Sequence, residues 1–313
     1  MTAQKPLDAL RVSVILCTHN PRLDYLEQCL RGLSSQSLPL HEWELVVVDN
    51  ASTPPISSLL DATWASRARI VREEALGLTA ARVRGISESR AGLLVFVDDD
   101  NVLDSDYLEN ALAIAGEKPF LGSWSGQCRP SFEVSPPSWT RRYWGNLAVR
   151  EFSSDSWSNL ATLGETMPCG AGLCVRRSVA LYYLRLHESG KRAVKLDRTE
   201  SSLLSGGDND LAACACDVGL GLGLMSKLKL THLIPRERLT LDYLTRLVEG
   251  IYFSSVILSH MRSWPGGRDS RVRWIDRIRA LLRSPRHAAI QRAALRGRSR
   301  GLKFVAAIQR NAQ

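Results

Sequence analysis

Three short apolar runs divide the first hundred residues of this 313-residue chain, and each run ends abruptly in polar side chains. The runs cover residues 12–17, 45–48 and 93–97 and are rich in valine, isoleucine and leucine. Continuous apolar runs of this length are typical of strands buried on both faces of a parallel sheet. Residues 23–33 carry leucines at helical spacing, and residues 77–90 form a second candidate helix. The alternation predicts an α/β fold with a mostly parallel sheet flanked by helices.

Polar side chains follow each of the three predicted strands. Thr18 and Asn20 come after the first strand, Asp49 after the second, and a run from Asp98 to Asn101 after the third. Ligands bind beyond the carboxyl ends of the strands in such sheets, so we expect these side chains to meet on one rim. For Asp49, an ordinary turn residue is the alternative interpretation.

The most distinctive of these segments contains three adjacent carboxylates, Asp98, Asp99 and Asp100. Their mutual repulsion at the end of a buried strand calls for a nearby cation. Mg²⁺ and Mn²⁺ are the simplest candidates, because they prefer oxygen ligands and bridge protein carboxylates to substrate phosphates. The alternative is an acidic turn whose charges are solvated. The triplet therefore predicts a divalent metal site that carries a phosphate-containing substrate.

Further candidate residues lie in the second half of the chain. Asp208 and Asp210 stand at a predicted helix N-terminus, where each carboxylate is either a partner of the helix dipole or a general base. His232 follows a strand-like run; a lone histidine is more often structural, but this position also suits a ligand. The small residues Gly170 and Ala171 would let a substrate approach the backbone.

The positive charge of the chain is concentrated in its C-terminal segment. Residues 261–313 carry 14 Lys and Arg and 2 Asp and Glu, whereas residues 1–260 carry 27 basic and 30 acidic side chains. Around Trp274 the spacing predicts a basic amphipathic helix, so residues 262–313 either bind an anionic membrane surface or pack on the rest of the protein. No nucleic-acid reading motif accompanies the arginines, which argues against nucleic-acid binding.

Composition and apolar run lengths also bear on location. The longest apolar runs fall far short of the roughly 20 residues that cross a bilayer, and the N-terminal residues lack the pattern of a secretory signal. The seven scattered cysteines do not resemble a disulfide framework. We therefore predict a cytoplasmic protein, with a peripheral position on the inner face of the membrane if the basic segment binds lipid.

Six segments carry a family resemblance when they are taken in order over about residues 11–235. They are VSVILCTHNP, ELVVVDNAS, GLTAARVRGI, LLVFVDDDN, PCGAGLCVRRS and GGDNDL. Together they resemble family 2 of the inverting glycosyltransferases, which have the nucleotide-diphospho-sugar transferase (GT-A) fold. The resemblance implies a GT-A domain over residues 8–235, followed by a helical, basic extension over residues 236–313.

The same resemblance implies a reaction. A sugar would pass from a nucleotide-diphosphate donor to the hydroxyl of a saccharide or lipid-linked acceptor, with inversion, in polysaccharide or glycolipid assembly. The implied substrate-binding residues are Thr18, Asn20, Asp49, Arg82, Asp99, Gly170 and Ala171.

A divalent cation, Mn²⁺ or Mg²⁺, would be held by Asp98, Asp100 and His232 on the donor diphosphate, since a metal stabilises the leaving group without a proton donor. Asp208 would be the general base that deprotonates the acceptor. The family usually has glutamate where this chain has Gly207, so Asp210 stays open as an alternative base.

Two other functions compete with this interpretation. The segments FVDDDNVL and GGDND loosely resemble those of haloacid-dehalogenase-type phosphatases, but the nucleophile of those enzymes usually follows the first strand, whereas here two other strand-end segments precede it. A non-enzymatic module that binds a metal or nucleotide is the third possibility. Walker-type and GxGxxG motifs are absent from the sequence, so nucleotide hydrolysis and hydride transfer have little support.

Overall fold

The computed structural model describes residues 10–60, 64–192, 198–199, 202–264 and 284–311. Its strands are β1 (Val12–Thr18), β2 (Trp43–Asp49), β3 (Ala68–Arg72), β4 (Leu93–Asp98), β5 (Asn101–Leu103), β6 (Leu121–Phe132), β7 (Ser156–Ser158), β8 (Cys174–Arg176), β9 (Arg198–Thr199), β10 (Ser202–Leu203) and β11 (Gly221–Ile234). Its α-helices are α1 (Leu23–Ser34), α2 (Leu78–Glu88), α3 (Tyr107–Glu117), α4 (Arg177–Glu188), α5 (Gly207–Asp217), α6 (Leu241–Met261) and α7 (Pro285–Asn311).

The N-terminal half of the main sheet is parallel, in the order β3-β2-β1-β4. Strands β1, β2 and β4 are those that the three apolar runs predict, with α1 and α2 between them. Thr18 of β1 pairs with Asp49 of β2, and Cys17 of β1 pairs with Asp98 of β4. The registers therefore bring the polar strand ends to one edge of the sheet, as expected for parallel strands.

The other half of the sheet is mixed rather than parallel. Strand β8 runs antiparallel to both β4 and β6, while β11 is parallel to β6 and antiparallel to β5 and β7. The prediction of a mostly parallel sheet is confirmed for the first four strands alone. Antiparallel pairing of β11 with β5 places His232 opposite Asn101, which brings a late segment beside the acidic turn.

Both faces of the sheet are covered, because alternate side chains of each strand enter different clusters. Val14 and Leu16 of β1 lie in a cluster with residues of α1 and α3, whereas Ile15 and Cys17 lie in a second cluster with residues of α2, α4 and α5. This two-residue alternation is the geometry of a strand between two helical layers. It explains why the strands read as continuous apolar runs.

The C-terminal segment packs on the rest of the protein. Helix α6, which confirms the helix predicted near 240–260, shares an apolar cluster with the short 3₁₀ segment Ser138–Leu147, and α7 packs along α6. A domain boundary at residue 235 stays a prediction. The basic amphipathic helix predicted around Trp274 lies outside the described residues. Among the helices of the described ranges, none combines the length and apolar character needed to span a bilayer.

Close contact between α2 and β1 depends on a glycine. A Cβ atom added at Gly85 would overlap Cγ2 of Ile15, whereas one added at Gly116 in α3 would meet nothing within 4 Å. Gly85→Ala should lower the free energy of unfolding by about 1–3 kcal/mol through overpacking, and Gly116→Ala should raise it by about 0.5–1 kcal/mol through helix propensity. Urea denaturation of both variants measures this. Stabilisation by both substitutions would show that α2 can shift away from β1.

Candidate active site

A cavity of about 610 Å³ opens at the carboxyl ends of β1 and β4. It is bounded by segments from both halves of the chain, including the loop before α5 and the first turns of α6. All of the predicted site residues except Asn20 and Asp49 line it. The lining residues are Cys17, Thr18, His19, Asn50, Leu76, Gly77, Leu78, Thr79, Ala81, Arg82, Asp98, Asp99, Asp100, Asn101, Asn146, Leu147, Ala148, Cys169, Gly170, Ala171, Leu204, Ser205, Gly206, Gly207, Asp208, His232, Arg238, Tyr243 and Leu247.

The first two carboxylates of the acidic turn face different partners. Asp98 is about one-third exposed, with its Oδ1 atom 3.9 Å from Nη2 of Arg82. Asp99 accepts a hydrogen bond of 2.6 Å from the Thr18 hydroxyl. Burial, followed by the negative charge of Asp100, raises the pKa of Asp99 to about 7. The shift shows the repulsion expected of adjacent carboxylates.

The third carboxylate, Asp100, is buried among three polar side chains. Its Oδ2 atom lies 2.9 Å from Nη2 of Arg238 and 3.3 Å from Nε2 of His232, while Oδ1 accepts a hydrogen bond from Nδ2 of Asn101 at 2.8 Å. Arg238 belongs to the 3₁₀ turn Arg236–Leu239 that follows β11. A cation from the protein itself therefore compensates the most buried charge of the triplet.

The hydrogen bonds of His232 define which ring nitrogen carries the proton. Nδ1 lies 2.9 Å from the carbonyl oxygen of Leu147, which can only accept, so Nδ1 is the donor. Nε2 then presents a lone pair, and Nη1 of Arg238 donates to it at 3.0 Å. Imidazole in this tautomer, oriented by a backbone carbonyl, has the arrangement commonly found in metal-ligating histidines.

The donor chemistry of this rim fits a divalent cation. Carboxylate oxygens and an imidazole lone pair are ligands of Mn²⁺ and Mg²⁺, and the buried Oδ1 atom of Asn101, next to Asp100, has no hydrogen-bond partner among the described residues. Of the predicted ligands, Asp100 and His232 meet directly, and Asp98 lines the same cavity. Within the described ranges no three Asp, Glu, His or Cys side chains converge as a ready-formed ligand cage.

A further carboxylate, Asp208, enters the cavity from the first turn of α5. Its Oδ2 atom accepts a hydrogen bond of 2.8 Å from the backbone N–H of Gly170. Arg82 is buried beside it: a Cβ atom on Gly170 would lie 2.6 Å from Nη2 of Arg82 and 3.1 Å from Oδ2 of Asp208. Burial lowers the pKa of Arg82, but the charges of Asp208 and Asp98 outweigh burial and raise it. The guanidinium therefore lies within reach of both acidic groups.

Asp210, the alternative base, faces away from the cavity. Its two carboxylate oxygens form ion pairs of 2.6 Å with Arg262 and 2.8 Å with Arg192, and it is 3% exposed. Both carboxylate oxygens are paired with guanidinium groups, and Asp210 does not line the cavity. The geometry therefore favours Asp208 as the candidate base.

Comparisons with known proteins identify the family of the chain. The family model described as "Glycosyl transferase family 2" matches residues 13–176, which is more than half of the chain. The chain belongs to glycosyltransferase family 2. The match includes β1, β4, the acidic turn and Gly170, whereas Asp208, His232 and Arg238 lie beyond it.

Individual relatives of this family 2 protein are distant. It is 28% identical to EpsH of Bacillus subtilis (strain 168) over 112 residues, which is 35% of this chain and 32% of EpsH. It is 30% identical to the glycosyltransferase AglE of Haloferax volcanii over 105 residues, which is 33% of this chain and 34% of AglE. These matches span about a third of each relative.

Solved structures with the same fold extend over nearly the whole chain. A mannosyltransferase from Pyrobaculum calidifontis, solved with GDP-Man and Mn²⁺, matches with a TM-score of 0.56 and 19% identity, covering 96% of this chain and 89% of that one. TarS 1–349 of S. aureus matches with a TM-score of 0.52 and 16% identity, covering 97% and 92%. At this identity the likeness concerns the fold alone, and it confirms the predicted GT-A fold.

Two residues that the family motifs suggested lie outside the cavity lining of this family 2 protein. Asp49 accepts hydrogen bonds from the backbone N–H groups of Ser52 and Ile56 and pairs with Arg72 at 2.9 Å. Burial raises the pKa of Asp49, but hydrogen bonds from the side chain and N–H of Ser52, the N–H of Ile56 and the side chain of Arg72 hold it below its usual range. Asn20 accepts from the backbone N–H of Thr53. Both side chains stabilise the loop after β2, and their contact with a nucleotide stays a prediction.

Several lining residues have no role assigned from the sequence. Asn50 holds the loop before α2 by accepting from the N–H of Gly77 and donating to the carbonyl of Ala75, both at 2.8 Å. His19 bonds through Nδ1 to the Asn50 carbonyl. Arg238 was the most consequential omission, because it contacts two predicted metal ligands. A basic residue six positions after His232 was the available signal.

The compensation of Asp100 by Arg238 has a measurable consequence for stability. Their side chains are 12% and 25% exposed, so Arg238→Gln should lower the free energy of unfolding by about 1–3 kcal/mol by leaving a buried carboxylate uncompensated. Arg236→Gln is the matched control in the same turn, since Arg236 is 71% exposed and pairs only loosely with Glu237; its effect should stay within about 0.5 kcal/mol. Guanidinium denaturation at neutral pH measures both. Equal effects would contradict the structural role of Arg238.

Proposed function

We propose that this protein transfers a sugar from a nucleotide-diphosphate donor to an acceptor hydroxyl with inversion at the anomeric carbon. The observation that carries the proposal is one cavity that holds two acidic groups with separate surroundings. Asp98 and Asp100 stand at the end of β4, and Asp208 stands at the start of α5 beside Arg82. This division suits a reaction that needs a diphosphate site and a base.

In this proposal, the end of β4 binds the donor. Asp98, Asp100 and His232 would hold a divalent cation, Mn²⁺ or Mg²⁺, which when bound neutralises the negative charge of the departing diphosphate. Thr18 orients Asp99 through its hydroxyl, and Arg82 adds a fixed positive charge to the same wall. The solved neighbours include complexes with UDP, UDP-GlcNAc and GDP-Man, which support a nucleotide-sugar donor without specifying it.

Asp208 is the proposed general base. The N–H of Gly170 orients one of its oxygens, and the absence of a side chain on Gly170 lets Asp208 and Arg82 approach the backbone closely there. As the acceptor oxygen attacks the anomeric carbon, its proton passes to Asp208 while the bond to the nucleoside diphosphate breaks on the opposite face. One displacement of this kind inverts the configuration.

The acceptor is proposed to be a saccharide or a lipid-linked saccharide, reached at an anionic membrane surface in the cytoplasm. Helix α7 carries seven Arg and Lys residues and no Asp or Glu. Arg292, Lys303 and Arg310 are exposed on it, as are Phe304 and Ile308. Basic and apolar side chains together on one helix are typical of attachment to anionic lipid.

Thermal unfolding with UDP or GDP tests the donor site. Mn²⁺ and the nucleotide together should raise Tm by about 2 °C or more, because a ligand that binds the folded state alone stabilises it. Asp98→Asn should abolish that shift. Asp208→Asn should keep it while eliminating turnover of the nucleotide sugar that the wild type consumes. A shift that persists in Asp98→Asn, or hydrolysis of a generic phosphomonoester that depends on Asp98, would contradict the proposal.

Sedimentation with phospholipid vesicles tests the membrane surface. Replacing Arg292, Lys303 and Arg310 by Gln should weaken binding to vesicles containing phosphatidylglycerol about tenfold or more, since each basic residue near such a surface contributes about 1 kcal/mol. The matched control replaces Arg31, Arg90 and Arg141, three exposed arginines of the GT-A domain, by Gln. Equal loss in both triple variants, or equal binding to pure phosphatidylcholine, would exclude a specific role for α7.

A further inference from the structure

One arginine from the C-terminal extension, Arg262, contacts residues near both ends of α5. Arg262 follows the last residue of α6, and its side chain is 3% exposed. Nε lies 2.6 Å from Oδ1 of Asp210, Nη2 donates to the backbone carbonyl of Asp210 at 2.6 Å, and Nη1 lies 3.0 Å from Oδ2 of Asp217. The guanidinium therefore bonds both the first and the last turn of an eleven-residue helix.

The other contacts of this cluster leave little freedom for α5. Arg192 pairs with the second oxygen of Asp210 at 2.8 Å, and Nη2 of Arg262 also lies 3.2 Å from Sγ of Cys214 in the middle of the helix. Removing charges from water is costly, so a buried ion cluster adds little net stability even when every polar atom is satisfied. Its directional bonds nevertheless define one position for the helix.

The geometry of an α-helix connects this cluster to the active site. Successive residues are rotated by about 100°, so Asp208 and Asp210 project from nearly opposite sides of α5. Asp210 points to Arg262, and Asp208 points into the cavity, where it meets Gly170. If α5 rotated or shifted away from Arg262, the carboxylate of Asp208 on the opposite side of the helix would move as well.

A second contact, from a serine of α6, holds the segment that precedes α5 in place. The buried hydroxyl of Ser254 accepts a hydrogen bond of 3.1 Å from the backbone N–H of Ser205. Ser205 lines the cavity, three residues before Asp208. Helix α6 and the residue that follows it therefore contact both the segment before α5 and the side of α5 that carries Asp210.

We propose that Arg262 is a positioning residue for Asp208, acting through Asp210 and Asp217. This inference rests on the proposed role of Asp208 as the base. It makes α6 part of the catalytic architecture, although the sequence suggests an appended segment. Displacement of a catalytic group by about 1 Å can reduce a rate about 100-fold, so the effect of Arg262 should appear in turnover and not in donor binding.

The position of Asp208 can be observed directly, without a substrate. The Gly170 amide donates to Asp208, so its hydrogen exchange, followed by NMR, reports that contact. Arg262→Gln should accelerate exchange at Gly170 at least tenfold, and Asp208→Ala should do the same. Arg69→Gln is the control, because Arg69 forms a 2.6 Å pair with buried Glu44, and the pair joins strands β3 and β2 rather than α5. Unchanged exchange at Gly170 in Arg262→Gln would overturn the proposal.

Turnover separates positioning from general destabilisation. The rate measured is release of UDP or GDP from the nucleotide sugar that the wild type consumes, well below the Tm of every variant. Arg262→Gln should lower kcat at least tenfold and leave the donor KM within twofold. Arg262→Lys should recover part of the lost kcat. Arg69→Gln should keep the wild-type kcat. Wild-type kcat in Arg262→Gln, or a raised KM alone, would overturn the proposal. Wild-type turnover in Asp208→Asn would overturn both the assignment of Asp208 as the base and the role of Arg262. If Asp208→Asn lost turnover and Arg262→Gln did not, the role of Arg262 alone would be overturned.

Discussion

Charge compensation at the end of β4 is the constraint on which the site depends. Adjacent carboxylates on a partly buried turn repel one another, and burial together with the charge of Asp100 raises the pKa of Asp99. Each carboxylate has a polar partner: Arg238 pairs with Asp100, the Thr18 hydroxyl donates to Asp99, and the Arg82 guanidinium lies near Asp98. These partners come from three separate segments of the chain. The acidic turn can therefore be completed only when the sheet, α2 and the turn after β11 have assembled.

Paired and cavity-facing carboxylates have different tasks in this protein. Asp49 and Asp210 are buried, and arginines and backbone N–H groups occupy their oxygens, so they hold loops and helices in place. Asp98 and Asp208 line the cavity, where a substrate can meet them. The distinction is one of surroundings, since all four are aspartates at the end or start of a secondary structure element. A position outside the cavity lining, together with a fixed cation, marks the structural members.

The fold was more predictable than the site. The parallel strands followed from apolar runs at 12–17, 45–48 and 93–97, because strands covered on both faces have no polar side to interrupt the pattern. Asp98, Asp208 and Arg82, which the family motifs suggested, all line the cavity, and their roles stay predictions. The mixed half of the sheet was not predicted, since a strand as short as β8 does not reveal its direction relative to its neighbours. Arg238 was missed because pairing with Asp100 joins positions 138 residues apart.

By itself, the sequence determined the layered α/β core, the edge of the sheet where polar residues collect, and the family to which the chain belongs. These properties follow from local patterns: apolar runs, helical spacing and short motifs at strand ends. Only the tertiary structure decided that Asp208 faces the cavity and Asp210 faces Arg262, although they are two residues apart. It also decided that Tyr243 and Leu247 of α6 line the cavity. The reason is physical: the direction of a side chain and its partner depend on how distant elements pack, and a local pattern does not contain that information.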